Sequence, residues 1–146
     1  MKKTSIILLL SVIAFLNATY LTGKAYNLVP GKTFCDINST WSCGNVVQHP
    51  AAWIFGLPFP AIAMVVYPVL FVLTRLLAGA IAAKKPHKKL AGRLMWLSIA
   101  GICFNSYIIY QETFTIKAFC PLCLLCTVII ISIAIMAGQI YRRAKA

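Results

Sequence analysis

The chain has 146 residues, of which 61% are hydrophobic and only 11% charged, well under the roughly 25% charged usual in soluble domains. Fourteen Lys and Arg against two acidic residues give a net charge of +12, but the bases fall in short clusters between long uncharged runs. No continuous basic face can form, which excludes nucleic-acid binding, and two carboxylates (Asp36, Glu112) with two histidines (His49, His87) leave little for paired-carboxylate hydrolysis or a His-rich metal site. This composition is that of an integral membrane protein whose chemistry rests on sulfur.

Four stretches approach the roughly 20 apolar residues that a bilayer requires. They run over about residues 5–22, 55–79, 94–111 and 119–140, with an external loop over about 23–54. Lys2 and Lys3 ahead of the first run also resemble the start of a signal peptide. The uncharged run is longer than an ordinary signal core, however, and its small-residue candidate Gly23-Lys24-Ala25 carries a lysine. The expected fold is therefore an all-α four-helix membrane bundle forming one domain over 1–146.

Orientation follows from the bases flanking each span. The N-terminus, the Arg75–Arg93 connection and the tail hold eleven Lys and Arg, whereas the opposite two connections hold Lys24, Lys32 and Lys117 together with both acidic residues. Both termini are thus expected in the cytoplasm, with the cysteine-bearing loop between the first two spans outside. In a bacterium that is the periplasmic side of the inner membrane.

On this topology Cys35, Cys43, Cys120 and Cys123 all sit on the oxidising face, where disulfides persist. Cys103 and Cys126 lie within spans and read as small packing residues. Cys120-Pro121-Leu122-Cys123 opens the last helix. A thiol there feels the positive end of the helix dipole, and nearby N–H groups stabilise a thiolate. Pro121 suits the first turn because it lacks an N–H and has a helical φ already set. Cys35 and Cys43 enclose seven mostly polar residues, which reads either as a structural staple or as a mobile dithiol shuttle. Two dithiols on one face suggest an electron relay to a lipid-soluble two-electron acceptor, and a quinone is the obvious candidate. No metal, flavin or haem is expected.

The segments "CDINSTWSCGNVV" (35–47), "FGLPFPAI" (55–62) and "SYIIYQETFTIKAFCPLC" (106–123) together resemble the vitamin K epoxide reductase family in its stand-alone bacterial form. Each segment alone is weak; their order, spacing and topology are specific. The DsbB type of quinone-linked four-helix protein has the reverse order, with its Cys-x-x-Cys in the first loop. The resemblance implies that Cys35 exchanges with a thioredoxin-like (DsbA-type) partner and that Cys43 attacks the Cys120–Cys123 disulfide at Cys120. It further implies that Cys123 faces the quinone, ubiquinone or menaquinone, and forms an adduct or charge-transfer complex with it. The activity implied is quinone-dependent oxidation of a partner dithiol, in support of disulfide formation in exported proteins. Four spans leave no room here for a fused thioredoxin-like domain, so the partner is expected to be a separate protein and the chain to work as a monomer.

Three positions depart from the family pattern. His49 stands where Ser is usual, Thr127 replaces a quinone-bonding Tyr, and the second span offers Tyr67 and Thr74 but no Asn. His49 is expected to cap the quinone pocket and deliver a proton, with Trp53, Tyr67 and Thr127 as further lining. Trp41, Trp53 and Tyr110 read as interface anchors. A rival reading is a thiol-based carrier of soft metal ions, although no thiol continues below Cys126 in the last span.

Overall fold

A computed structural model describes residues 2–28, 36–38 and 40–144; Cys35 lies outside the described residues. Four helices are long and apolar enough to cross a membrane. They are α1 (Lys2–Ala25), α3 (Phe59–Ala82), α4 (Lys88–Gln111) and α5 (Pro121–Arg143). Between α1 and α3 come a one-and-a-half-turn helix α2 (Cys43–Gln48), a 3₁₀ turn (Pro50–Ala52) and a hairpin of β1 (Trp53–Ile54) and β2 (Leu57–Pro58). A π turn, Glu112–Ile116, extends α4 and ends at Lys117, whose φ of 57° is left-handed.

The helix limits differ from those expected at both connections. Phe55 and Gly56 both have positive φ, 53° and 79°, the pattern of a tight two-residue hairpin turn, so residues 53–58 pair as strands instead of starting a span. Pro58 then precedes α3 and Pro60 occupies its first turn, where a missing N–H costs nothing. At the other end α4 starts at Lys88, ahead of the expected residue 94. Long basic side chains extend a membrane helix beyond its apolar run because their stems pack while their heads reach out. Lys88 Nζ does so over the Tyr141 ring, 5.3 Å from its centroid.

The spanning helices pack in a ring, α1 against α3, α3 against α4, α4 against α5 and α5 against α1. Buried hydroxyls within them bond back to their own helix, Ser11 to the Ile7 carbonyl, Thr74 to Leu70 and Ser98 to Leu94, as a medium without water requires. Gly101 sets the closeness of α4 to α5: a Cβ there would meet Ile130 Cγ1 at 3.1 Å. Lys2, Lys3, His87 and Arg143 line one cleft, so both chain ends and the α3–α4 connection share one end of the bundle. The cysteine loop and the α4–α5 connection close the other. One apolar core fills the middle around Leu70, Leu94 and Ile133. A second, around Val46, Val47, Ile108 and Phe59, encloses Cys43, Cys120 and Cys123.

Candidate functional site: two cysteine pairs meeting at a helix end

The loop is built to bring Cys43 to the start of α5. Asn38 Oδ1 accepts from the N–H groups of Thr40 and Trp41 at 2.8 and 2.9 Å, an Asx turn of the kind short polar side chains form. Residues 40–42 then pair with Phe119: its N–H donates to the Thr40 carbonyl at 2.6 Å, and its carbonyl accepts from Ser42 N–H at 3.0 Å. Trp41 packs on the Phe119 ring with centroids 5.5 Å apart, so this tryptophan anchors the loop to α5's approach. The described loop residues 40–42 are therefore docked beside Cys120.

Asp36 holds the same turn from within. Its Oδ1 accepts from Ser42 Oγ at 2.8 Å and from Gly44 N–H at 3.0 Å, and its Oδ2 lies 3.6 Å from Lys24 Nζ. Ser42 in turn caps α2 by accepting from Asn45 N–H at 3.2 Å. A carboxylate with two donors and an ammonium offsets the cost of its partial burial. Gly44 leaves the space for this, since an added Cβ would meet Lys24 Cε at 3.1 Å.

Cys43 is disulfide-bonded, and Cys120 and Cys123 are free thiols. The Cys120 thiol donates to Cys43 Sγ at 3.1 Å, with both residues fully buried. Cys120 is also the N-cap of α5: its sulfur accepts from Cys123 N–H at 3.3 Å, with Pro121 in the first turn. An N-cap acceptor meets N–H groups that the helix leaves without partners, and these stabilise negative charge on it. The arrangement can therefore carry thiol–disulfide exchange between Cys43 and Cys120 out of contact with solvent.

Cys123 lines a cavity of about 220 Å³ whose walls come from all four spanning helices. Its walls include Leu21, Phe59, Val66, Leu97, Phe104 and Ile130, and its few polar groups come from Tyr67, Asn105, Cys123 and Cys126. Of the expected quinone contacts, Tyr67 lines this cavity. The other three do not, each for a local reason. His49 Nδ1 accepts from Ala51 N–H at 3.1 Å and caps the 3₁₀ turn. Trp53 turns its indole N–H to the Val47 carbonyl at 3.0 Å, and Thr127 bonds back to the Cys123 carbonyl at 3.1 Å.

Three polar residues at the site escaped the sequence reading. Asn17 of α1 donates to the Leu122 carbonyl at 2.8 Å and to Cys126 Sγ at 2.9 Å, tying α1 to the first turns of α5. Asn105 lines the cavity and donates to the Gly101 carbonyl at 3.0 Å. Glu112, counted as a residue of an external connection, is fully buried beside Cys120 and Cys123. The available signal was its position: the single Glu of the chain stands eight residues before Cys120, where a third span delivers it to the head of the fourth. Cys103 is exposed on the outer face of α4, away from the other thiols. Among the described residues no three His, Cys, Asp or Glu side chains are arranged to hold a metal ion, so the soft-metal carrier finds no ligand set.

No individual curated protein matches the chain. The vitamin K epoxide reductase family pattern, by contrast, matches residues 5–137, a stretch that includes α3, α4, the cysteine loop and most of α1 and α5. With a buried Cys43–Cys120 contact at one end of a four-helix membrane bundle, the chain belongs to the vitamin K epoxide reductase family of membrane thiol–disulfide oxidoreductases.

Proposed function

We propose that the protein oxidises the dithiol of a thioredoxin-like partner and passes the two electrons through both cysteine pairs to a membrane quinone. The Cys43–Cys120 separation of 3.1 Å carries this reading, because exchange requires one sulfur to approach another directly. Cys35 takes the partner's electrons as a mixed disulfide, which the partner's second thiol resolves, leaving Cys35 and Cys43 reduced. Cys43 then attacks Cys120, the Cys120–Cys123 bond breaks, and Cys123 leaves as the thiolate. Cys35 displaces Cys120 from Cys43, so the loop disulfide reforms and the helix pair is left as a dithiol.

The quinone is the substrate that reoxidises the helix pair. The cavity beside Cys123 fits a lipid-soluble ring: it is walled by aliphatic and aromatic side chains, with few polar groups to orient a ligand, as in small-molecule sites generally. Tyr67 and Asn105 are the residues of this chain placed to meet a ring carbonyl. The net reaction converts the dithiol and a quinone, ubiquinone or menaquinone, to a disulfide and a quinol. With the charge asymmetry of the connections setting orientation, the site faces the periplasm of the bacterial inner membrane and both termini face the cytoplasm, so the reaction supports disulfide formation in exported proteins.

The test is loss of quinone absorbance in detergent-solubilised protein supplied with a reduced thioredoxin-like donor. Catalytic consumption by the wild-type chain and none by Cys123→Ser is expected. Folded protein that consumes no quinone with either ubiquinone or menaquinone analogues overturns the reading.

A further inference from the structure

Glu112 is fully buried, and among the described residues neither of its carboxyl oxygens has a hydrogen-bond partner. Leaving a buried polar group unsatisfied is costly, and a buried ionisable group within a membrane bundle marks function by default. Its position is specific. The π turn that begins at Glu112 is a backbone distortion that recurs at functional sites, and it brings the carboxyl against the head of α5. There it adjoins the Cys120 backbone and the Cys123 thiol without closing a hydrogen bond to either. Among the described residues, the other titratable groups acting on Cys123 are Cys120 and Cys126 of α5. From α2, which also packs on the π turn, Cys43 contributes a sulfur that is disulfide-bonded and does not titrate.

The geometry points to Glu112 as the proton-exchange partner of Cys123. Oxidation of the helix pair requires two thiols to lose two protons and two electrons, and Cys120 and Cys123 are both buried, so water does not take the Cys123 proton directly. The Glu112 carboxylate takes it from Cys123 Sγ, leaving a thiolate beside a neutral carboxylic acid. As the Cys120–Cys123 bond forms, the electron pair passes to the quinone, and the proton held on Glu112 leaves with the second thiol proton to complete the quinol. In the reverse half of the cycle Cys43 gives its thiol proton to Glu112 and breaks the disulfide at Cys120, and Cys123 leaves as a thiolate to which Glu112 passes that proton on. The carboxyl is unchanged over a turnover. This role rests on the two-pair relay proposed above, but the proton exchange itself requires only the reduced helix pair.

The experiment separates the two. Full-length reduced protein in detergent is pulsed with N-ethylmaleimide across pH 5–10, without quinone, and Cys123 alkylation is read by peptide mass spectrometry, with exposed Cys103 as the reference for an intact fold. Two groups sharing a proton titrate as a pair, so the wild-type Cys123 profile should show two inflections. Glu112→Gln keeps the shape and removes the exchangeable proton, so it should lose the inflection that Glu112 contributes, while Glu112→Asp should recover it. Quinone turnover in Glu112→Gln should fall by about 100-fold or more, the scale of a lost acid–base group. A single inflection in the wild-type profile overturns the proposal whether or not Glu112→Gln folds, and so do superimposable wild-type and Glu112→Gln profiles. Two inflections without any quinone turnover leave Glu112 as the proton partner and overturn the acceptor instead.

Discussion

Cys43 Sγ and Cys120 Sγ lie 3.1 Å apart across a joint that neither residue's neighbours in sequence could make alone: one comes from the α1–α3 connection and the other caps α5. The relation predicts a trapped intermediate. In the double variant Cys35→Ser/Cys123→Ser both thiols that can resolve it are gone, so a Cys43–Cys120 disulfide should accumulate under oxidising conditions and appear as a cross-linked peptide pair by mass spectrometry. Cys120→Ser should show no such pair.

The turn that presents Cys43 depends on Asp36. Asp36→Ala removes the acceptor of Ser42 Oγ and Gly44 N–H and leaves Lys24, only 9% exposed, without this partner. A hydrogen bond to a charged group contributes about 1.5–3 kcal/mol, so the thermal midpoint should fall. Exchange between the two pairs should slow by about tenfold or more, because a loss of 1.4 kcal/mol in the docked arrangement is a factor of ten. Following the redox state of each pair after mixing with a dithiol donor measures this directly.

Filling the cavity should separate its two neighbours. Ala63 and Ala100 both line it, and Ala100→Phe or Ala63→Phe places a ring where the quinone is proposed to sit. Quinone turnover should be lost while the Cys43–Cys120 cross-link still forms in the Cys35→Ser/Cys123→Ser background. Tyr67→Phe is milder. It removes the one hydroxyl among the described lining residues, and a several-fold rise in the quinone KM with little change in kcat is expected.

His49 gives the contrasting case. Its ring caps the 3₁₀ turn through Ala51 N–H, so His49→Ala should lower stability by about 1 kcal/mol, as loss of a cap does. The quinone KM should be unchanged, and its pH dependence should match the wild type. Thermal unfolding and steady-state quinone kinetics on the same preparation check both halves.

Much of this site could be read along the chain because its signals are local. The four apolar runs, the bases at their ends, and Pro121 between Cys120 and Leu122 each report on a few adjacent residues, and the family pattern orders them. The hairpin at Phe55–Gly56 was missed because an apolar Phe in a positive-φ turn reads as the first residue of a span. What joins the pairs is not local. The bridge from Thr40 and Ser42 to Phe119 links residues far apart in sequence with no side-chain code for the pairing. Glu112 reads as a loop acid until the π turn is seen to turn it inward. Of the expected quinone contacts, the side chains of His49, Trp53 and Thr127 bond to nearby backbone and Tyr67 lines the cavity, an arrangement set by contacts between elements that no local signal along the chain reports.

The order in which the pairs are oxidised tests the relay most directly. Fully reduced protein is mixed with one equivalent of quinone, quenched by acid at intervals, alkylated and mapped. The relay predicts that the Cys120–Cys123 disulfide appears first and the loop disulfide of Cys43 follows at its expense, with neither forming in Cys123→Ser. A loop disulfide that forms first, or quinone consumption that survives Cys123→Ser, contradicts it.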